Sequence, residues 1–312
     1  MTLSVLKRRA TLLLAGVALI AACLALPPAA HAESGSLSDQ VSWNYDETTC
    51  TLTICGTGDM PKVSYHEPPW KALRPYIKSI VIEDSITAIS SEAFVECEAV
   101  TSVSLPEELK AIDISTFKEC SSLESINLPS ALKKIEAAAF DGCSSLKSIT
   151  IPAGVTDIKD QAFAHCTDLS SVTFLGKVKP IGRRTFESCS SLKSIALPEG
   201  MTSIDNYAFY SCGNLRTITL PSTLTTINAY AFEECGNLQS LTIPNKVTSI
   251  GRMAFYGCGM LQSVSLSDGL TSLGESAFQG CGWLTRIDLP QSITKIEPGT
   301  FKNCNGRVRK VV

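Results

Sequence analysis

Cysteine is the residue type in this sequence whose spacing most invites a chemical interpretation. Ten cysteines recur at intervals of 23 residues, each three residues after a phenylalanine that keeps the same interval. These cysteines are Cys97, Cys120, Cys143, Cys166, Cys189, Cys212, Cys235, Cys258, Cys281 and Cys304. Regularly spaced thiols could form disulfides, hold zinc or supply a nucleophile.

Zinc binding and nucleophilic catalysis both need partner residues that the sequence does not supply. No C-x-x-C pair occurs in the sequence. Of the three histidines, His31 lies in the apolar N-terminal segment, which leaves His66 and His165 for the rest of the chain. His165 adjoins Cys166, but adjacent residues of an extended chain point to opposite sides. The motifs of serine hydrolases, zinc proteases and phosphate-binding loops are also absent from the sequence. We therefore expect no catalytic residue, no metal and no cofactor, and a protein that is not an enzyme.

Two interpretations of the repeated cysteines remain open. Twelve of the 13 cysteines lie after the apolar N-terminal segment of residues 1–32, and an even number of cysteines is compatible with disulfides between stacked units. The favoured interpretation is a thiol that fills the same inward pocket in every unit, because a buried cysteine packs as a small apolar side chain.

The cysteines are positioned by a repeat that governs most of the chain. The phenylalanines of this repeat are Phe94, Phe117, Phe140, Phe163, Phe186, Phe209, Phe232, Phe255, Phe278 and Phe301. Between two of them, Ile149 and Ile151 alternate as in a strand with one buried face, and Pro152 ends that strand because it lacks an N–H donor. Such a unit has no room for a helix of typical length, about 11 residues. We predict a solenoid of ten stacked units, with a parallel sheet on one side and short strand or 3-10 segments on the other.

The repeat unit resembles the BspA-like, or TpLRR-type, class of bacterial leucine-rich repeats, whose pattern is roughly L-x-x-I-x-L-P-x-x-L-x-x-I-x-x-x-A-F-x-x-C. The match runs from Ile77 to Cys304, and upstream Trp43, residues 51–54 and Trp70 resemble the family's N-terminal capping segment. The resemblance implies a leucine-rich-repeat solenoid that is exported or displayed on a bacterial surface. It also implies adhesion to host or bacterial proteins, without identifying the ligand.

Three segments are predicted along the chain: an export signal over 1–32, an N-terminal cap over 33–76 and the solenoid over 77–312. The cap alternates like a β-hairpin around a turn at residues 46–49. The last repeat is degenerate, because Arg307, Arg309 and Lys310 interrupt what should be another strand. Polar substitution suits a terminal repeat that faces water.

The first 32 residues carry the features of an export signal. Residues 7–9 are basic, residues 10–26 form an apolar run, and Ala30-His31-Ala32 fits the cleavage pattern of small residues. We expect cleavage after Ala32 and a secreted or outer-surface location, since the run is at the short limit for a membrane span. The stretch Ile20-Ala21-Ala22-Cys23 resembles a lipobox, so lipidation of Cys23, which would attach the protein to a membrane, is the alternative.

Candidate binding residues occupy outward positions where the chain departs from the repeat. The aromatic candidates are Tyr207, Tyr210, Tyr230, Met253, Tyr256 and Trp283. Tyrosine and tryptophan are favoured anchors of interfaces, although stacking along the repeat is the alternative. The second candidate surface is the sheet face, where two columns of serine and threonine end in Arg286 and Asp288. A third column contains Lys147, Lys193 and Arg216, a modest basic stretch that could bind an acidic protein. A third departure is the segment from Leu175 to Arg184, which gathers Lys177, Lys179, Arg183 and Arg184.

Composition restricts the class of partner. A formal charge of −3 and a pI near 5.7 give no reason to expect nucleic-acid binding, which needs a strongly basic face. Solenoids offer no deep pocket, so we expect no small-molecule substrate. The predicted partner is a protein on a host or bacterial surface. The alternative is a structural component of the envelope or matrix that self-associates.

Overall fold

Each 23-residue unit makes one turn of a β-solenoid in the computed structural model, which describes residues 33–310. About nine such turns stack on one another, which confirms the predicted leucine-rich-repeat solenoid. The predicted export signal, including Cys23 and Ala32, lies outside the described residues. Among the residues described, no helix is long and apolar enough to cross a membrane.

The N-terminal segment forms the hairpin that the sequence predicts and adds a third strand to it. Its strands are β1 (Glu33–Ser36), β2 (Val41–Asp46), β3 (Thr51–Gly56) and β4 (Gly58–Asp59), and a 3-10 helix follows at Lys71–Leu73. β2 pairs antiparallel with both β1 and β3. β3 then pairs in parallel with the first strand of the solenoid. The segment therefore covers the N-terminal edge of the repeat sheet, which would otherwise expose unpaired main-chain groups.

One side of the solenoid, which we call the front face, carries the longer strands. They are β5 (Ser79–Ile82), β7 (Ser102–Ser104), β10 (Ser148–Ile151), β12 (Ser171–Phe174), β13 (Ser194–Ala196), β15 (Thr217–Thr219), β17 (Ser240–Thr242), β19 (Ser263–Ser265), β21 (Arg286–Leu289) and β22 (Arg307–Lys310). Neighbours pair in parallel at the repeat interval, as Ser148 does with Ser171. Because the interval is constant, each column of the front face holds one position of the repeat.

A second side, the side face, carries shorter strands. They are β6 (Ile86–Ala88), β8 (Ala111–Ile112), β9 (Lys134–Ile135), β11 (Asp157–Ile158), β14 (Ser203–Ile204), β16 (Thr226–Ile227), β18 (Ser249–Ile250) and β20 (Ser272–Leu273). The parallel sheets β8-β9-β11 and β14-β16-β18-β20 are separated by one turn. Pro180 occupies the missing strand position in that turn, and a proline has no N–H to donate to a sheet.

The core is a column of stacked rings. Successive repeat phenylalanines lie 5.2 to 5.8 Å apart between ring centroids and are nearly parallel. Most of these rings, including Phe140 and Phe163, are fully buried together with the leucines and isoleucines of the repeat. Burial of a phenylalanine side chain contributes about 1.5–3 kcal/mol, so each turn is stabilised mainly by the turns that cover it.

The segment around each phenylalanine, which we call the turn segment, has an unusual backbone. The residues two before and two after the phenylalanine adopt positive φ in every turn, as Tyr207 (60°) and Ser211 (57°) do around Phe209. Three N–H groups per turn donate to carbonyl oxygens of the next turn, as Phe209 does to Ala231 at 2.8 Å. These hydrogen bonds hold a left-handed conformation that costs an ordinary residue roughly 1–2 kcal/mol.

The end of the described chain differs from the prediction. The sequence predicts that Arg307, Arg309 and Lys310 interrupt the next strand, yet Arg307–Lys310 forms β22 and pairs in parallel with β21 over four residues. That prediction is wrong because strand pairing uses main-chain N–H and C=O groups, which every residue except proline carries.

Candidate binding surfaces

The repeated cysteines point inward and donate hydrogen bonds to the main chain. From Cys120 onward, each Sγ lies 3.0 to 3.3 Å from the carbonyl oxygen of the phenylalanine one turn earlier. Burial raises the pKa of Cys97 and of Cys212 to about 12. This geometry gives each thiol a structural partner, and at the fully buried positions burial disfavours the thiolate that a nucleophile or metal ligand would need.

His165 and Cys166 face different partners. The Nδ1 atom of His165 lies 2.8 Å from Oδ1 of Asp141, whereas Cys166 Sγ donates to the carbonyl oxygen of Phe140 at 3.2 Å. Lys118 completes the cluster, with Nζ 2.9 Å from Oδ2 of Asp141. The buried Asp141 carboxylate therefore joins Lys118 and His165, which lie on the turns before and after it. Within residues 33–310, no group of three or more histidine, cysteine or acidic residues could hold a metal ion.

Three of the predicted aromatic residues form one cluster, which we call the tyrosine patch: Tyr207, Tyr210 and Tyr230. The rings of Tyr207 and Tyr230 stack at 4.5 Å between centroids with an interplanar angle of 3°. Tyr210 meets Tyr207 edge-on at 5.8 Å. All three are half-buried, so each presents part of its ring to solvent.

Two arginines extend the tyrosine patch on its N-terminal side. The guanidinium carbons of Arg184 and Arg183 lie 4.8 and 5.4 Å from the centroid of the Tyr207 ring, within cation–π range. Arg184 also pairs with both carboxylate oxygens of Glu187 at 3.2 Å. Burial, reinforced by the neighbouring Tyr230 and Glu233, raises the pKa of Tyr207, which favours its neutral phenol form.

The other aromatic candidates occupy different positions. Met253 follows Tyr230 at the same place in the next turn, and Tyr256 shares its place with Tyr210 two turns away. Trp283 is 58% exposed and lies five residues after its phenylalanine, beyond the inward Cys281. Of the ring contacts within the described part of the chain, none joins Trp283 to a tyrosine. The structure therefore does not gather all six residues into one cluster.

The front face is small, polar and exposed, with paired charges. Lys147 Nζ lies 2.6 Å from a carboxylate oxygen of Glu124, and Arg286 makes a two-atom contact with Asp288. An open groove of about 500 Å³ lies at the C-terminal part of this face, lined by Ser240, Thr242, Ser263, Ser265, Arg286 and Asp288 together with neighbouring residues. Lys193 and Arg216 lie on adjacent turns, joined by a main-chain hydrogen bond. The predicted basic stretch is thus partly neutralised.

Two further clusters of charged side chains are not predicted from the sequence. Arg74 is buried at the cap, where its guanidinium lies 5.1 Å from the centroid of Tyr65 and 3.4 Å from Glu96. Arg74 lies 23 residues before Cys97, at the place of a repeat cysteine, and this inward position is the sequence feature that could have predicted its burial. The second cluster is the acidic pair Glu233 and Glu234 beside the tyrosine patch, which only the stacking of adjacent turns reveals.

The sequence matches the family model described as a BspA type leucine rich repeat region, in 6 copies over residues 74–193 and 179–307. No curated protein matches it. The residues that match the family model include every repeat phenylalanine from Phe94 to Phe301.

Solved structures of bacterial leucine-rich repeat proteins have a similar fold. One from Bacteroides ovatus has a TM-score of 0.58 and 27% identity, covering 81% of this chain and 82% of that one. A leucine rich cell surface protein from Faecalibacterium prausnitzii has a TM-score of 0.52 and 27% identity, covering 89% and 86%. A third, from Eubacterium ventriosum, has a TM-score of 0.50 and 21% identity, covering 88% and 95%, and supports the fold alone.

Proposed function

We propose that this chain, a member of the BspA type leucine rich repeat family, is an exported module that binds a protein on a host or bacterial surface. The similar protein from Faecalibacterium prausnitzii is described as a cell surface protein, which supports an outer-surface location. Export would be directed by residues 1–32, with cleavage after Ala32; processing before Cys23 with lipidation of that cysteine is the alternative that would attach the protein to a membrane.

The tyrosine patch is the observation that carries this proposal. Tyr207 and Tyr230 have φ angles of 60° and 62°, a region that favours glycine or asparagine. The last turn has Gly299 at the same position, so the repeat itself does not require a large side chain there. Ser115, Ala138 and Ser276 fill this position in other turns, so an aromatic ring is not needed to form the turn. We infer that the two rings are retained for contact with another molecule.

The composition of the patch fits a protein partner. Half-exposed tyrosines bury a large apolar area on binding and keep a hydroxyl for hydrogen bonds, which makes them frequent anchors of interfaces. The stack is preorganised by its ring contact and by the two arginines, so that binding loses little side-chain entropy. Met253 and Tyr256 extend the surface along the next turns.

The test is capture of surface proteins by the immobilised chain. Matrix proteins of a host and surface proteins of co-resident bacteria are passed over wild type and over a Tyr207→Asn/Tyr230→Asn double variant. Asparagine tolerates positive φ, so this variant removes the rings while retaining the backbone conformation. A Lys193→Gln/Arg216→Gln double variant serves as the matched control on the front face.

Each outcome of the capture experiment bears on the proposal. Saturable capture by wild type that falls at least tenfold in the tyrosine variant supports it. Capture that falls only in the front-face variant moves the binding surface to the strands. Absence of capture, combined with concentration-dependent self-association in sedimentation, would instead support a structural envelope or matrix component.

A further inference from the structure

Beside the tyrosine patch, one column of the solenoid alternates aromatic and acidic side chains. Tyr210, Glu233 and Tyr256 occupy the position after the phenylalanine in three successive turns. Their neighbours Phe209, Phe232 and Phe255 stack at 5.2 Å per turn, which sets the rise of the column. Main-chain bonds from Ser211 to Glu233 and from Glu234 to Tyr256 hold these turns in register.

This spacing suits a cation. Tyr210 and Tyr256 are two turns apart with Glu233 between them, so a positive group beside the Glu233 carboxylate would lie roughly 5 Å along the column from the place of each tyrosine, which brings either ring within reach of it. The same group would meet the Glu233 carboxylate between the two rings. All three side chains are half-buried, which leaves room for approach from solvent.

The chain contains a filled version of this arrangement at its cap. There the Arg74 guanidinium lies over the ring of Tyr65 and within 3.4 Å of the Glu96 carboxylate, and the Tyr65 hydroxyl donates to that same carboxylate. One ring, one carboxylate and the main-chain carbonyl of Tyr65, which accepts from Arg74 at 2.7 Å, therefore hold a guanidinium within this fold. The column of Tyr210, Glu233 and Tyr256 offers two rings and a carboxylate.

The charges around Glu233 leave it without a cation from its own chain. Among the described residues, no ion pair involves Glu233 or its neighbour Glu234. Three guanidinium groups of the surrounding turns contact other residues: Arg252 pairs with Glu275 at 3.7 Å, Arg184 pairs with Glu187, and Arg183 lies over the Tyr207 ring. Burial and the charge of Glu234 raise the pKa of Glu233, which is the effect expected of an uncompensated carboxylate.

We infer that Tyr210, Glu233 and Tyr256 form a receptor site for an arginine or lysine side chain of the protein partner. This inference rests on the proposed function, because it names the chemistry of the partner that meets the tyrosine patch. The partner segment is basic on the side that contacts this column, and its cation is held by the two rings and the carboxylate together.

The test uses biotinylated hexa-arginine, hexa-lysine and hexa-glutamate peptides as probes for the purified protein in biolayer interferometry. We expect saturable binding of the two basic peptides and none of hexa-glutamate. Glu233→Gln should weaken basic-peptide binding by about fivefold or more, the loss expected for one partly buried charge contact. Glu107→Gln, an exposed glutamate on another turn, removes the same charge and should change the affinity by less than about twofold.

The rings are tested by paired substitutions. Tyr210→Phe and Tyr256→Phe keep the ring and should retain binding, whereas Tyr210→Leu and Tyr256→Leu should each weaken it by about fivefold. Equal losses in Glu233→Gln and Glu107→Gln, or equal affinities of the Phe and Leu variants, would overturn the inference. Circular dichroism of each variant confirms that the fold is retained.

The two proposals fail in different ways. If surface proteins are captured through the tyrosine patch while Glu233→Gln leaves both capture and peptide affinity unchanged, the receptor site is overturned and the proposed function stands. If basic peptides bind with the expected dependence on Glu233 and both rings but no surface protein is captured, the site is supported and the proposed function is overturned.

Discussion

The indole nitrogen of Trp70 donates a hydrogen bond to the carbonyl oxygen of Ala93 at 3.1 Å. In the next turn the equivalent carbonyl, that of Thr116, instead accepts the main-chain N–H of Phe94 at 3.0 Å. The Trp70 ring also stacks on Phe94 at 5.8 Å between centroids. One tryptophan of the cap thus replaces both the ring and the amide of the phenylalanine that an earlier turn would supply.

Substitution of Trp70 tests this role. We expect Trp70→Phe to lower the free energy of unfolding by about 1–3 kcal/mol, because the ring is retained while the buried Ala93 carbonyl loses its donor. Urea unfolding followed by circular dichroism measures the change. The control is Trp283→Phe at an exposed position, which should alter stability by no more than about 0.5 kcal/mol. Equal effects of the two substitutions would contradict the capping role.

Adjacent alanines offer a direct test of the turn-segment backbone. Ala138 has a φ of 53°, whereas Ala137 lies outside the positive range, and both are half-buried. Ala138→Gly should be neutral or stabilising by up to about 1 kcal/mol, because glycine adopts positive φ without strain. Ala137→Gly should destabilise by about 0.5–1 kcal/mol through the greater entropy of the unfolded chain.

The difference between these two variants is the quantity to measure, by urea denaturation under identical conditions. If both glycines destabilise equally, the left-handed conformation at Ala138 imposes no measurable strain.

The repeat interval was sufficient to predict the fold, because Phe140, Cys143 and Ile149 each fill one inward position that recurs without variation. It did not predict the positive φ angles of the turn segment. Glutamate, serine, alanine, arginine and tyrosine all occur at these positions, so local residue preference carries no signal. Hydrogen bonds from the next turn impose the conformation instead, and only the stacked structure contains them.

The candidate site was predictable where it follows from repeat position alone. Tyr207 and Tyr230 share a position in adjacent units, so their contact follows from the stacking. Trp283 was grouped with them by its place along the chain, but it lies on the other side of the inward Cys281. The contact of Arg184 with Tyr207 could not be read from the sequence, because it depends on the direction of a long side chain.

Thiol reactivity separates the two interpretations of the repeated cysteines. Burial raises the pKa of Cys212 to about 12, so that only about one thiol in 10,000 is ionised at pH 8. Cys304 is half-buried, and its interaction with the neighbouring Cys281 thiol lowers its pKa. With Ellman's reagent we expect Cys304 to react first, Cys55 more slowly, and the buried thiols only after unfolding.

The control for this assignment is Cys304→Ser, which should abolish the fast phase. The total thiol content is then measured in urea without reductant. Buried free thiols predict that every cysteine reacts, whereas a disulfide ladder predicts that most of them remain silent until a reductant is added.

Glu233 links the proposed receptor site to stability. Burial, with a smaller contribution from Glu234, raises its pKa above the ordinary value of 4.5. Below that value the carboxyl is protonated in both the folded and the unfolded chain and costs nothing. Between 4.5 and the raised pKa of the folded state, the unfolded chain has released this proton while the folded chain still holds it. The free energy of unfolding therefore falls as the pH rises through this interval.

Glu233→Gln should therefore raise the Tm at pH 7, because it removes a charge that the folded state holds without a cation. The difference from wild type should shrink towards zero at pH 4, where both chains are neutral at this position. Differential scanning calorimetry at the two pH values measures it, with Glu107→Gln as the exposed control. A variant that is less stable than wild type at pH 7 would mean that Glu233 already has a favourable partner within the chain. A basic peptide bound to wild type should reduce the difference at pH 7, since its cation compensates the same carboxylate that glutamine removes.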